Sequence, residues 1–458
     1  MKTRTALCAA LLVVVGGRPV PVFGAGSALR PEPADPVSAA RPAVTDTARA
    51  AVLVAQADGP SAPSPDELVA LALHRAPSLA ARAARVQEAR ELVRPAGALP
   101  DPMVELMVQD VGFPRWTVGE EDMSMLGPQV TQGIPFPGKR GARRGVAQAE
   151  VSVKRNELEL LRREVARDVR GLYARLYALD QERQALSSGR ELLGMFAATV
   201  RERYSAGVAE QEAAVKAQLA VSRLEERLDD LAAERTGLVA SLNRYLDQPG
   251  DTPLGRVAAL PGPAVPPMPW SGAVLENSVE VSTRRAEVQV AEQRLRVARL
   301  ERAPDFLAGA GVGFRGSRDP VVTLRLGLDL PLWSAQNQAP TIRAAGQSLE
   351  ASRQALRDAE ASARAEAARL EADWRKAGLQ VSRYEQTIVP QSSLALDAAR
   401  SSYLAGRGDF SLVIEDFDLW LEARTGWARR EAERYTTWAT LEAVGGPSGP
   451  DDDGRSGR

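Results

Sequence analysis

Four acidic residues fall close together in "GDFSLVIEDFD": Asp409, Glu415, Asp416 and Asp418. A cluster of this kind draws cations, and at a pore mouth it would form an acidic ring. The same carboxylates also suit a helix start, where free backbone N–H groups favour negative charge. Both readings stay open on these residues alone. Other chemistry is restricted by inventory. The chain has one cysteine, Cys8, and one histidine, His74. Cys8 lies inside an early apolar run, so the rest of the chain offers no disulfide, zinc–thiolate set or cysteine nucleophile. A Ser-His-Asp triad would have to use His74, which stands beside "RAPSL" at a predicted helix end, where a surface or packing role is usual. No catalytic residue, metal site or cofactor is expected. The net charge of −1 gives no case for a nucleic-acid partner.

The remaining charges of interest sit on predicted strands. In "VVTLRLGLDL", Val322, Leu324, Leu326, Leu328 and Leu330 share one face, and Val321, Thr323, Arg325, Gly327 and Asp329 share the other. In "DFLAGAGVGF", Phe306, Ala308, Ala310, Val312 and Phe314 alternate with Leu307 and three glycines. A period of two over about ten residues predicts strands long enough to cross a bilayer at a tilt, about 305–314 and 321–332. "RGSRDP" (Arg315 to Pro320) is the predicted turn. Arg325 and Asp329 would face a water-filled lumen, and Phe306, Phe314 and Trp333 would lie at the interfaces. A weaker pair is predicted at about 102–110 and 125–136, the second interrupted by Pro128. Four strands cannot close a barrel, and open edges are not tolerated in lipid. Several copies must therefore contribute, and three would supply twelve strands.

Long helices must carry these strands. From Lys139 to Tyr204 there is no proline, and Leu158, Val165, Leu172, Leu179, Leu186, Leu193 and Val200 recur every seven residues. Ile342, Leu349, Leu356, Ala363, Leu370, Ala377 and Tyr384 do the same later. These are coiled-coil seams. In "IPFPGKR" a strand must become such a helix: Pro135 and Pro137 end the ladder, Gly138 lets the backbone turn, and Lys139 and Arg140 belong at a membrane rim. "YSAG" (Tyr204 to Gly207) and "YLAG" (Tyr403 to Gly406) each close a long helix with a glycine. New helices are expected at about 210–246 and 410–443.

The landmarks occur twice. Pro100-Asp101 and Pro304-Asp305 are 204 apart, Pro135 and Pro331 are 196 apart, and Tyr204 and Tyr403 are 199 apart. One order at nearly one offset indicates a duplication. The expected organisation is a signal peptide at 1–25, a disordered lead-in at 26–63 and a first repeat at 64–259. A proline-rich connector at 260–270, a second repeat at 271–443 and a disordered tail at 444–458 follow. The signal rests on Lys2, Arg4, the apolar "ALCAALLVVV" and small residues at Gly24 and Ala25. A retained anchor is the alternative. Nothing later approaches the ~20 apolar residues of a transmembrane helix.

With these features the sequence resembles the TolC-like outer-membrane efflux family over about residues 64 to 443. The resemblance implies a mainly α fold with a small β part: a trimeric α-barrel of coiled-coil helices and a twelve-stranded transmembrane β-barrel. It implies a homotrimer in outer-membrane lipid with a periplasmic extension, docked to a periplasmic adaptor and an inner-membrane pump, the resistance-nodulation-division type among the candidates. The chain would be a passive exit duct rather than an enzyme. Tyr204, Gly207, Tyr403 and Gly406 would form the adaptor-docking tip, and Asp409, Glu415 and Asp416 the pore entrance. Gly408 stands where some members carry a basic gating residue. The "PFPGKR" form is similar to members paired with heavy-metal pumps. The alternatives are the same duct serving type I protein secretion and a periplasmic coiled-coil adaptor.

Overall fold

A computed structural model describes residues 62–207, 210–262 and 268–445. The expected signal segment, most of the lead-in, the centre of the connector and nearly all of the tail lie outside these residues. Each repeat opens with a short helix and a longer one, separated by a break that the sequence marks. Helix α1 (Pro65–Arg75) starts at Ser64, whose hydroxyl accepts the Glu67 N–H while Glu67 reaches back to the Ser64 N–H. Pro77 then begins α2 (Pro77–Glu91), followed by the single turn α3 (Val93–Ala96). In the second repeat α6 (Ser271–Asn277) stops at Ser278, which caps α7 (Val279–Leu300) through the Val281 N–H.

Strands β1 (Met103–Gln109), β2 (Met125–Ile134), β3 (Asp305–Arg315) and β4 (Arg318–Asp329) form one antiparallel meander in that order. Val104, Val130, Ala310 and Leu324 lie in one cross-strand row, so the apolar sets of all four strands share a face. That face is open: Leu324 and Leu326 are 79% and 88% exposed. Pro128 does belong to β2, opposite Leu106. Toward β3 the pairing skips Gly127 and Pro128, because proline has no N–H to give. Gly127 is required there, since a Cβ would stand 1.7 Å from the Val312 carbonyl oxygen. The turn expected at 315–320 is shorter, only Gly316 and Ser317. A register shift near Gly313 and Arg315 lets pairing continue, and Pro320 is tolerated because the far side of β4 has no strand.

After β2 comes α4 (Lys139–Ser205), 67 residues and about 100 Å long. It is followed by α5 (Gln211–Tyr245). After β4 come α8 (Gln338–Arg383), a π turn (Tyr384–Ile388), α9 (Val389–Leu404) and α10 (Phe410–Val444). The element order of the two repeats is the same. Along α4 the predicted seam is buried at Val165, Leu179, Leu186, Leu193 and Val200, while Leu158 and Leu172 are half-buried. Leu186, Leu193 and Val200 pack with Ala217, Leu224 and Leu231 of α5, again spaced by seven, and with Phe410, Val413 and Phe417 of α10. The upper part of α4 packs instead on Leu68, Val69 and Ala72 of α1 and on Ala428 and Tyr435 of α10. The π turn lies just before Pro390, where a normal turn would need an N–H that proline lacks. Gly426 of α10 makes room for it, as a Cβ would lie 2.7 Å from the Tyr384 ring.

Buried charges clamp the mid-length of the bundle. Asp180 accepts from Arg235 Nε and the Val257 N–H, both at 2.9 Å, and so ties residues 254–257 to α4 and α5. Glu182 takes one guanidinium from α5 (Arg227, 2.8 Å) and one from α10 (Arg429, 2.8 Å). Burial alone would raise the Glu182 pKa, but hydrogen bonds from Arg429 and Arg227 outweigh it and hold the carboxyl below its ordinary range. A depressed folded pKa adds stability above the unfolded value of about 4.3, and that stability fades as pH falls through the folded value. We therefore expect acid titration below about pH 4.3 to destabilise the protein. Glu182→Gln should lose that part of the pH dependence, read by thermal unfolding in detergent across pH; an unchanged profile would exclude the clamp.

Candidate conduit, junction and docking tip

The strand-to-helix switch of the first repeat is an ionic lock. β2 ends at Ile134, Pro135 and Pro137 follow, and Gly138 turns the chain at φ +98° into α4. Lys139, expected at a membrane rim, is only 3% exposed. Its ammonium lies 2.9 Å from Asp305 and 3.4 Å from Glu301, and it donates to the Ala303 carbonyl at 2.9 Å. Asp305 also accepts the Phe136 N–H at 2.7 Å, and Phe136 stacks on Phe306. Arg143 reaches Glu301 at 2.8 Å. Arg140 stays exposed and donates to the Gly97 carbonyl. The junction therefore joins the end of the first hairpin to the start of the second.

On the sheet, Arg325 and Asp329 share the face opposite the leucines, as the alternation predicts. Asp329 stands directly opposite Asp305, a like-charge pair that Lys139 helps offset. Gln129 and Met125 of the same face are buried over the small residues of β3; a Cβ on Gly313 would meet the Met125 sulfur at 2.4 Å.

At the far end, Gly207 and Gly406 take φ values of +74° and +71° and close α4 and α9. The two turns lie side by side around a cleft of about 380 Å³ lined by Arg203, Lys216, Tyr403, Gly406 and Asp409. Their tyrosines differ. Tyr204 is exposed, whereas Tyr403 is buried against Phe410 with the Arg203 guanidinium over its ring. Arg203 also donates to the Tyr403 carbonyl at 3.0 Å. Asp409 caps α10, accepting the Ser411 N–H at 3.0 Å. Glu415 is exposed, on the opposite side of α10 from Val413 and Phe417, and Asp416 is half-buried. Asp409 and Glu415 are thus not gathered into one site within the chain. Gly408 packs closely on Ser402, where a Cβ would meet its hydroxyl at 2.8 Å. Among the described residues no cluster of His, Cys, Asp and Glu is placed to hold a metal ion, and no helix is long and apolar enough to cross a membrane.

The sequence profile of the outer membrane efflux protein family matches residues 68–247. The match spans about two fifths of the chain, from the first helix through α5. Several solved structures share its fold. The outer membrane protein VceC of Vibrio cholerae is 18% identical with a TM-score of 0.70, over 83% of this chain and 96% of that one. A membrane protein of Pseudomonas aeruginosa is 13% identical with a TM-score of 0.74, over 86% and 92%. The open-state MtrE outer membrane channel of Neisseria gonorrhoeae is 16% identical with a TM-score of 0.64, over 84% and 90%. No curated protein sequence matches the chain. The family match and the shared fold point to the cell outer membrane, with the helices extending into the periplasm.

The residues that sequence reasoning missed are those that join the repeats. Asp305 was visible only as half of a repeated Pro-Asp landmark, and Glu301 and Arg203 carried no signal beyond a charged helix end. The lock can be tested directly. Lys139→Met should cost on the order of 2 kcal/mol, the scale of lost charge-assisted hydrogen bonds, read as a lower unfolding temperature in detergent. Arg140→Met, which loses one exposed hydrogen bond, should cost much less.

Proposed function

We propose that three copies of the chain form one outer-membrane exit duct, and that it conducts substrate passively. The supporting observation is the four-stranded sheet with an exposed apolar face and, among the described residues, no strand beyond β1 or β4. In lipid such edges leave backbone groups without partners, so the sheet needs further strands. Three copies supply twelve strands, a size that leaves room for a lumen lined by Arg325 and Asp329. Below the sheet, the half-buried stripes of the long helices would pack side by side into an α-barrel. Pro135, Pro137, Gly138, Lys139 and Arg140 would mark the level where barrel becomes tunnel.

In this reading the duct is the outer part of a tripartite efflux system. The tip residues Tyr204, Gly207 and Gly406 would meet a periplasmic adaptor, and the adaptor would link the duct to an inner-membrane pump. Tyr403 would support the tip from inside. Opening would separate the helix ends beside Arg203 and Tyr403. Glu415, without a hydrogen-bond or ion-pair partner among the described residues and facing away from the core, is the best candidate for an entrance acid; Asp416 would assist, while Asp409 serves first as a helix cap.

Purified protein reconstituted in planar bilayers should form channels, and native mass measurement should give a trimer. A soluble monomer without conductance would exclude the duct. Glu415→Ala should reduce cation preference, read as a shift in reversal potential under a salt gradient. An unchanged reversal potential would remove Glu415 from the entrance while leaving the channel reading intact.

A further inference from the structure

The chain contains one seam where the first repeat meets the second, the β2–β3 pairing. We propose that the seam between copies repeats it: β4 pairs with β1 of the next copy, Leu326 opposite Leu106, and Arg325 forms an ion pair with Glu105 of that copy. The inference rests on the proposed trimer and adds its register and its charge contact.

The duplication supplies the register. β4 corresponds to β2 at the offset of Pro331 from Pro135, and β1 corresponds to β3 at the offset of Asp305 from Asp101. Val130 pairs with Ala310, which maps to Leu326 with Leu106. Thr131 pairs with Gly309, which maps to Gly327 with Glu105, and Gly133 with Leu307 maps to Asp329 with Met103. Both offsets are even, so every apolar residue stays on the apolar face, and a slip by one would reverse them all. The two edges run antiparallel, as β2 and β3 do.

Charge supports the same register. Glu105 and Arg325 are both exposed on the polar face, one on each free edge, and neither forms an ion pair within the chain among the described residues. On that lumen-facing side the two opposite charges, one on each free edge, suit each other across a seam between copies. In the mapped register Gly327 lies opposite Glu105 and leaves space beside it. Arg325 is then the diagonal neighbour, about 7–8 Å away along the backbone and within reach of a guanidinium fork. The contact is head-to-tail, and such contacts close into a ring when the rotation permits.

The test uses full-length protein carrying Cys8→Ser. Directly opposed strand residues lie about 4.5–5.5 Å apart, inside the range a disulfide spans. Leu326→Cys with Leu106→Cys should give covalent dimers and trimers on non-reducing gels, at least ~10-fold more than Leu326→Cys with Val104→Cys or Val108→Cys. Arg325→Glu or Glu105→Arg alone should reduce SDS-resistant trimer, and the double exchange should restore it. Stronger linking by a shifted pair, or failure of the exchange to restore the trimer, would overturn the inference while native trimers still upheld the duct. A monomer in native mass measurement would overturn both.

Discussion

A backbone N–H that enters hydrocarbon must find an acceptor in the protein, because no water is present to supply one. The meander meets this demand at three pairings and leaves it open along the outer sides of β1 and β4. Much of the architecture follows from that constraint. Strands that come in hairpins return to the side they left, so all the long helices hang from one side of the sheet. The apolar face turns outward along four strands at once because the registers are mutually consistent. A duplicated hairpin-and-helix unit doubles the strands per copy while preserving that parity.

The junction between the repeats must hold this arrangement against its own charge. Asp305 and Asp329 face each other, and Glu301 lies just below them. Carboxylates so close would repel, and a single buried ammonium answers two of them while its third donor takes a carbonyl. Asp305 in turn accepts the first N–H beyond the β2 proline, so ladder and helix start share one anchor. The corresponding stretch after β4, "LPLWSAQ", has no cation. Within the chain it has no second hairpin to hold. The asymmetry between the two junctions reflects which of them has a covalent neighbour.

What was legible in the sequence is what repeats locally. Heptads at Leu179, Leu186, Leu193 and Val200 needed only the helical period, and each is buried. The leucines of β4 needed only the pleat. The turn before Pro320 was misplaced because proline usually argues against a strand; an unpaired edge removes that objection, and the edge is visible only in the sheet. Lys139 reads as a solvated cation because its partners follow more than 160 residues later. Tyr204 and Tyr403 sit in the same motif yet differ in exposure, since only the second turn packs on the following Phe410.

The distribution of polar clamps also bears on where such a duct would move. At mid-length, Asp180 and Glu182 are each shared between elements, Tyr177 bonds Glu431, and Arg170 holds both Asp66 and Glu442. These contacts join α4 to α1, α5 and α10, those at Asp180 and Glu182 through buried carboxylates, which open only at high cost. Among the described residues the tip has fewer ties: Arg203 to the Tyr403 carbonyl, Lys216 to the Ser411 hydroxyl and Arg201 to the Gln218 side chain. The first is half-buried and the other two are exposed, and the buried Tyr403 hydroxyl has no hydrogen-bond partner among the described residues. Local opening follows the weakest cooperative contacts. In a duct of this kind the helix ends would part while the belt above them stays closed.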